Sequence, residues 1–323
     1  GNNGVELYYN IDSGLPDTLD SAIANKKLSD EFHMSTIHMI MVDSSLDAKS
    51  KKEILNKVED VDGVKWALGL NSVTGEMIPD SMIPKKLTSK LKSDNYEIMF
   101  VCSDYSSATD EVNAQIASIN DIVKSYDPTG MVIGEAPLMK DLEDTTSVDL
   151  VTVNTVSILA IFVIVMIVFK SISLPAILVT VIEFAIFINM SFSYYRGISQ
   201  PFVAPIVVGT IQLGATVDYA ILMTNRYKTE RMAGKEKHEA ISIAHKTSFK
   251  SILTSGLILF ASTVGVALYS NIDMIQSIVI LLCRGAIISM IVVLVLLPAM
   301  LTLFDKVICY TTIGMRGCAK KQK

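Results

Sequence analysis

Five apolar runs in the second half of the chain constrain it more than any other feature. They fall at about 149–169, 174–194, 201–225, 249–269 and 275–304. Each is long enough to cross the ~30 Å hydrocarbon layer of a bilayer as a helix. Lipid offers no hydrogen bonds to backbone groups, so isolated apolar runs of this length cross as helices or not at all. Residues 1–146 lack such runs, and charge follows the same division. They carry 13 Lys and Arg against 25 Asp and Glu, a net charge of −12, whereas residues 147–323 carry 15 against 8, a net of +7. An acidic, water-facing domain followed by a basic, membrane-embedded one is the expectation. Neither half has a basic stripe with interleaved aromatics, so nucleic acid is not an expected partner.

Basic residues also give a direction. The chain ends at Lys170, at 226–250 and beyond residue 304 carry 13 Lys and Arg, while the opposite connectors, 195–200 and 270–274, carry only Arg196. The positive-inside rule then places the 226–250 loop and the basic tail, 307–323, in the cytoplasm. By alternation residues 1–146 lie outside the plasma membrane. A domain of that size needs a signal or a preceding membrane helix to get there, and Gly1-Asn2-Asn3-Gly4 supplies neither. The expectation is that at least one upstream helix is missing. The mixed-charge stretch Asn225–Ala240 is expected to lie as an interfacial helix between two spans, with Ala240–Ser251 re-entering the membrane.

The first domain alternates in period. Helix is expected from Leu15-Pro16-Asp17 to Glu31, over Ala48–Glu59, over Ile83–Lys92, and over Thr109–Ser125 with Val112, Ile116, Ile119, Ile122 and Val123 on its apolar side. Strands are expected at Ser35–Val42, Val64–Leu70, Tyr96–Cys102 and Met131–Ile133. Strand–helix–strand, twice, is the split-βαβ, ferredoxin-like pattern. Its acidic residues read as solvated surface. The histidines His33, His38, His238 and His245 are scattered and read as surface side chains. Cys102, Cys283, Cys309 and Cys318 show no CxxC and no His/Cys cluster, with Cys309 and Cys318 in the tail, so no metal site is expected.

The chemistry is expected in the third run. Gly214-Ala215-Thr216-Val217-Asp218-Tyr219 places a carboxylate beside a phenol in a helix otherwise almost free of charge. A charge at the centre of a membrane helix costs roughly 2.5–3.5 kcal/mol on insertion scales. Gly214 and Ala215 share the Asp218 face and would let another helix pack close. A carboxylate in a low-dielectric site exchanges protons near neutral pH, which suits a proton relay of Asp218 and Tyr219. Glu183 and Arg284 lie about nine residues into their own runs, roughly 14 Å deep and near the membrane centre. Either Glu183 or Asp218 is an expected charge partner for Arg284. The fourth run adds Ser251, Thr254, Ser255 and Ser262, whose usual bond is to their own helix backbone, with Ser255 a possible coupling residue.

These residues resemble a known group. Gly214-Ala-Thr-Val-Asp-Tyr-Ala-Ile-Leu-Met-Thr-Asn-Arg-Tyr227 is similar to the fourth-helix signature of the resistance–nodulation–division superfamily, nearest the MMPL branch of hydrophobe and amphiphile exporters. Ser251-Ile-Leu-Thr-Ser-Gly256 and Arg284-Gly-Ala-Ile-Ile-Ser-Met290 fit the same branch. The resemblance covers about 130–323, and the first domain by layout only. It implies a polytopic five-helix bundle with an extracytoplasmic porter domain, forming one half of a two-half chain. The half resembles the C-terminal one without its first helix. It further implies export of lipids, amphiphiles or hydrophobic drugs driven by the proton motive force, with no other cofactor and no enzymatic reaction. Asp218 and Tyr219 would be the relay, with a partner pair in the missing N-terminal half. Membrane lipids, the amphiphilic substrate and a possible homo-oligomer are the implied partners. A SecD/SecF-like export accessory and a non-transporting Patched or sterol-sensing type of lipid sensor are the alternatives.

Overall fold

The computed structural model describes residues 7–9, 16, 18–70 and 89–315. These fall into two compact units, one within residues 9–145 and one within 146–323 that also takes in Leu7 and Tyr8. In chain order the elements begin with β1 (Leu7–Tyr8), α1 (Asp20–Phe32), β2 (Thr36–Asp43), α2 (Ala48–Glu59) and β3 (Val64–Leu68). Next come β4 (Tyr96–Ser103), α3 (Asp110–Tyr126), β5 (Met131–Gly134), α4 (Glu135–Phe169) and α5 (Ser173–Tyr195). The chain continues with β6 (Gln200–Pro201), α6 (Ala204–Met232), α7 (Lys237–Tyr269), α8 (Asp273–Leu303) and α9 (Asp305–Thr311).

In the α/β unit four antiparallel strands run in the order β3-β4-β2-β5. Alternation decides which side of β2 is buried: Thr36, His38, Ile40 and Val42 point inward while Ile37 and Asp43 are exposed. Asp47 caps α2 by accepting the Ser50 amide at 3.2 Å, and Thr109 caps α3 by accepting the Val112 amide at 3.3 Å. The apolar sides of these helices, Ile54, Leu55 and Val58 on α2 and Ile119 and Val123 on α3, pack on Ile40, Val42, Met99 and Val101 of the sheet. The expected strand 64–70 stops at Leu68. The expected helix 83–92 lies mostly outside the described residues.

Two polar residues of this unit depart from the sequence reading. His38 is no surface side chain: it is fully buried in β2, its Nε2 3.3 Å from Gln115 Oε1. Strand alternation places it on the inward face, a signal that outweighs the general preference of histidine for the surface. Nor are all the acids solvated, since Glu97 is buried and accepts a 2.7 Å bond from the equally buried Lys51. Lys51 uses its apolar stem to cover the core and ends on this carboxylate and the Ser44 carbonyl.

The helical unit has five helices long and apolar enough to cross a membrane, α4 to α8. Helix α8 is central and packs on α5, α6 and α7. Leu178, Val181 and Ile182 of α5, Val208, Ala220 and Met223 of α6, and Val293 and Leu297 of α8 form the buried core. Helix α4 turns most of its apolar surface outward, with Val151, Val156 and Ile167 all at least 60% exposed. An apolar face with no protein against it is what a lipid-facing helix requires.

Residues 225–240 form no separate helix. Helix α6 continues to Met232, α7 begins at Lys237, and a tight turn with Gly234 at φ +90° joins them. Ion pairs hold the extension together: Glu230 meets Arg226 at 2.7 Å and Lys235 at 2.9 Å. Residues after 304 are likewise not all tail, because α9 folds back and buries Ile308 and Cys309.

Two tests follow. Removing one member of a buried pair strands the other, at a cost of about 3–5 kcal/mol. Lys51→Met leaves the buried Glu97 only Lys92, at 3.9 Å, and should reduce amide-exchange protection of the α/β unit in the intact protein, while adding Glu97→Leu should restore most of it. Desolvation holds the His38 imidazole below the ordinary histidine pKa, outweighing the Gln115 bond that favours its charged form. The unfolded state then takes up the proton first, so the His38 contribution is intact at neutral pH and is lost as pH falls below about 6.5. Protection of β2 should drop between neutral and mildly acidic pH, and His38→Gln should flatten that dependence.

Candidate functional site

Helix α6 has two faces. Gln212, Leu213, Thr216, Tyr219, Ala220 and Met223 are buried, whereas Ile211, Gly214, Asp218 and Leu222 are exposed. Both sets recur at three- and four-residue spacing, as a helix with one packed side requires. Adjacent residues stand about 100° apart around a helix, so Asp218 and Tyr219 part company.

Asp218 has no hydrogen bond or ion pair with another described residue, and the helix around it is open. A Cβ added at Gly214 would meet nothing within 4 Å. No described helix packs over Gly214, whereas Ala215 is half-buried and faces α7 and α8. Tyr219 turns inward, 7% exposed. It lines a small pocket with Gln212, Ala215 and Thr216 of α6, Leu259 of α7 and Ala286 and Ser289 of α8.

Beside that pocket lies a buried polar network that ties three helices. Asn189 Nδ2 on α5 donates to Gln212 Oε1 on α6 at 2.9 Å and to the Leu281 carbonyl on α8 at 3.0 Å. Gln212 Nε2 donates to Ser289 Oγ on α8 at 2.9 Å, and Thr216 Oγ1 donates to the Gln212 carbonyl at 2.6 Å. Gly285 makes room for it: a Cβ there would lie 2.7 Å from Gln212 Oε1 and 2.8 Å from Asn189 Nδ2.

Arg284 joins this network and corrects two expectations. Its Nε donates to Asn189 Oδ1 at 2.8 Å, and its Nη2 to the Asn189 carbonyl at 2.7 Å and to Ser193 Oγ at 3.0 Å. Its partners are neutral, neither Glu183 nor Asp218. Asn189 and Ser193 lie within the last two turns of α5, so Arg284 is tied to the end of that helix. Glu183 is six residues back from Asn189, about 9 Å along the helix and on another face. It is half-buried and has no hydrogen bond or ion pair among the described residues. Ser255 is exposed on α7, while Thr254 Oγ1 and Ser262 Oγ bond to the Lys250 and Leu259 carbonyls of their own helix.

A second cluster, at the basic end of the bundle, was not anticipated from sequence. Arg231 Nε and Nη2 donate to Asp305 Oδ1 and Oδ2 at 2.9 and 2.7 Å, a bidentate pair. Tyr227 Oη donates to Asp305 Oδ1 at 2.6 Å, and Cys309 Sγ lies 3.5 Å from Arg231 Nη2. All four side chains are buried. The cluster fastens α9 to the extended end of α6. Asp305 lies 74 residues from Arg231, a separation at which neither local spacing nor hydropathy signals contact.

This architecture and the α6 segment agree with comparisons to known proteins. The MMPL family model matches residues 15–320. The chain is a multi-pass membrane protein and belongs to the MMPL family. It is similar to YdgH of Bacillus subtilis (strain 168), described as a membrane protein, with 26% identity over 275 residues, 83% of this chain and 30% of that protein. It is also similar to MmpL4 of Mycobacterium leprae (strain TN), described as a transport protein, with 24% identity over 184 residues, 54% of this chain and 18% of that protein. The chain thus spans less than a third of the length of either relative.

Two substitutions test the packing. Gly285→Ala forces its methyl group into Gln212 and Asn189 and should cost about 1–3 kcal/mol, the range for overpacking. Asp305→Ala strands the buried Arg231 and should cost about 3–5 kcal/mol. Thermal unfolding in detergent should place both below wild type, with Asp305→Ala the lower.

Proposed function

We propose that this chain is one half of a proton-coupled exporter of lipids, amphiphiles or hydrophobic drugs, and that Asp218 is its protonation site. The observation that carries this reading is Asp218 itself: an acid in mid-helix, on the open face of α6, with no described residue to compensate its charge. Such a group exists in two states. Ionised, it keeps its face of the helix wet or paired; protonated, it lets that face pack against apolar surface. Tyr219 sits next to it but faces a small, mostly apolar pocket whose polar lining includes Gln212, Thr216 and Ser289. It is suited to relay a proton between Asp218 and that pocket through a shift of either side chain. Membership in the MMPL family and similarity to a protein described as a transport protein support the same reading.

Coupling would act through α6. Gln212 bonds α6 to α5 and α8, so a shift driven at Asp218 moves three helices together rather than one. In this reading the α/β unit is an extracytoplasmic porter domain of split-βαβ, ferredoxin-like type, a view supported by its strand order β5-β2-β4-β3. The basic end, with Lys170, Arg226, Lys228 and Lys306, is cytoplasmic. The proton motive force supplies about 2.3 kcal/mol per charge per 100 mV, plus any pH gradient. A second half of the same protein would cover the open face of α6 and bring a partner acid. Membrane lipids surround the assembly, which is open to homo-oligomer formation.

The test is reconstitution of the full-length protein in liposomes with an imposed pH gradient. Wild type should couple proton flux to export of a fluorescent amphiphile. Asp218→Asn should reduce both at least tenfold while eluting as a folded species. Transport that survives the substitution would remove Asp218 from the relay, and absence of flux in wild type would leave a lipid-sensing role in its place.

A further inference from the structure

Two cations lie near the end of the bundle opposite the basic one. Arg284, on α8, is fixed by Asn189 and Ser193, which are 0% and 1% exposed. Arg196, at the end of α5, lies three residues beyond Ser193 and seven beyond Asn189, on the same helical face. Arg284 reaches this face through Asn189 and Ser193, so both cations lie on one side of the end of α5. No described acid forms an ion pair with either. Asp273, which opens α8, is exposed and forms no ion pair with a described residue.

Two cations on one face with no described acid paired to them favour an anion, and Arg284 leaves a donor for one. Nε and Nη2 of Arg284 are engaged, whereas Nη1 has no partner among the described residues. The guanidinium lies over the Phe192 ring, 5.4 Å from its centroid, and Phe192 is itself exposed. Tyr194 and Tyr195, further along α5, are also exposed and have the character of an interfacial aromatic belt. Fixed cation, open donor edge and exposed aromatic surface together match a molecule with a charged head and an apolar body, rather than a free ion.

We propose that Arg284 and Arg196 form a binding site for the anionic headgroup of an amphiphile, its chain lying along Phe192. The orientation argued above puts this amphiphile in the outer leaflet. The proposal rests on that reading for the leaflet and on the exporter role only for calling the amphiphile a substrate. Buried Asn189 and Ser193 act as positioning residues, holding the guanidinium so that Nη1 faces outward.

Native mass spectrometry of the full-length protein, released from neutral detergent, tests this without any proton gradient, so a failure of proton coupling has no bearing on it. Phosphatidylglycerol and phosphatidylcholine of equal chain length compete for the protein. Wild type should retain the anionic lipid about tenfold better, in line with a hydrogen bond to a charged group. Arg284→Gln and Arg196→Gln should each reduce that preference at least threefold, and Arg284→Lys should keep most of it. Arg196 is exposed, so its substitution remains informative if Arg284→Gln fails to fold. Equal retention of the two lipids by wild type, or a preference unchanged in Arg196→Gln, overturns the proposal. So does displacement of the lipid by millimolar inorganic phosphate, which marks a site for free anions. An acid supplied by another part of the protein would neutralise the pair, and it would appear as equal retention.

Discussion

A side-chain amide in the hydrocarbon layer has no water to bond, so its partners have to come from neighbouring helices. The pair Asn189 and Gln212 is where this requirement shapes the molecule. One amide nitrogen bridges α5 to both α6 and α8, and the other bridges α6 to Ser289 on α8. The surrounding features follow from this contact. Gly285 has no side chain because the amides occupy its Cβ position. Arg284 is drawn to the Asn189 oxygen and to the end of α5 rather than to a distant carboxylate. The α6 face bearing Gln212 is committed to the interior, and Asp218 is turned to the other side.

The division of α6 into a bonded face and an open one links fold to function. A carboxylate beside the amide network would be held by its donors and would be a poor switch. On the open face its charge is balanced by nothing else described in this chain, so protonation changes what can pack there. The amide bonds, in turn, make α6 part of a three-helix block. In the proposed mechanism, a titration at Asp218 would move this block as one body. At the basic end, Asp305 with Arg231 and Tyr227 fastens the far end of the same helix, so α6 is anchored at two levels.

Much of this was legible in the sequence, and the gaps have physical causes. Apolar runs fixed the number and positions of the membrane helices, because hydrocarbon thickness sets a length that few other structures need. Strand-like runs and helical periodicity gave the order of elements in the α/β unit. Helix ends were less legible: α6 and α7 run on through 226–248 because Arg226, Glu230, Lys235 and Glu239 pair with one another, and hydropathy does not register ion pairs. His38 was misread from composition although its strand position pointed inward. Asp218, Tyr219 and Arg284 stood out as polar residues in apolar runs, but their partners did not. Asn189 and Ser289 are single polar residues in long runs, and only the helix arrangement shows that they converge on Gln212. The open side of Asp218 could not be read at all, since one sequence does not say which face of a helix its neighbours cover.

The central claim is that Asp218 is the group that changes protonation in the membrane. Infrared difference spectroscopy of the full-length protein in lipid reads this directly, by following the protonated-carboxyl stretch as pH is lowered, with Glu183→Gln as the control for the other intramembrane acid. The account expects a band that persists in Glu183→Gln and disappears in Asp218→Asn. Identical difference spectra for wild type and Asp218→Asn would contradict it.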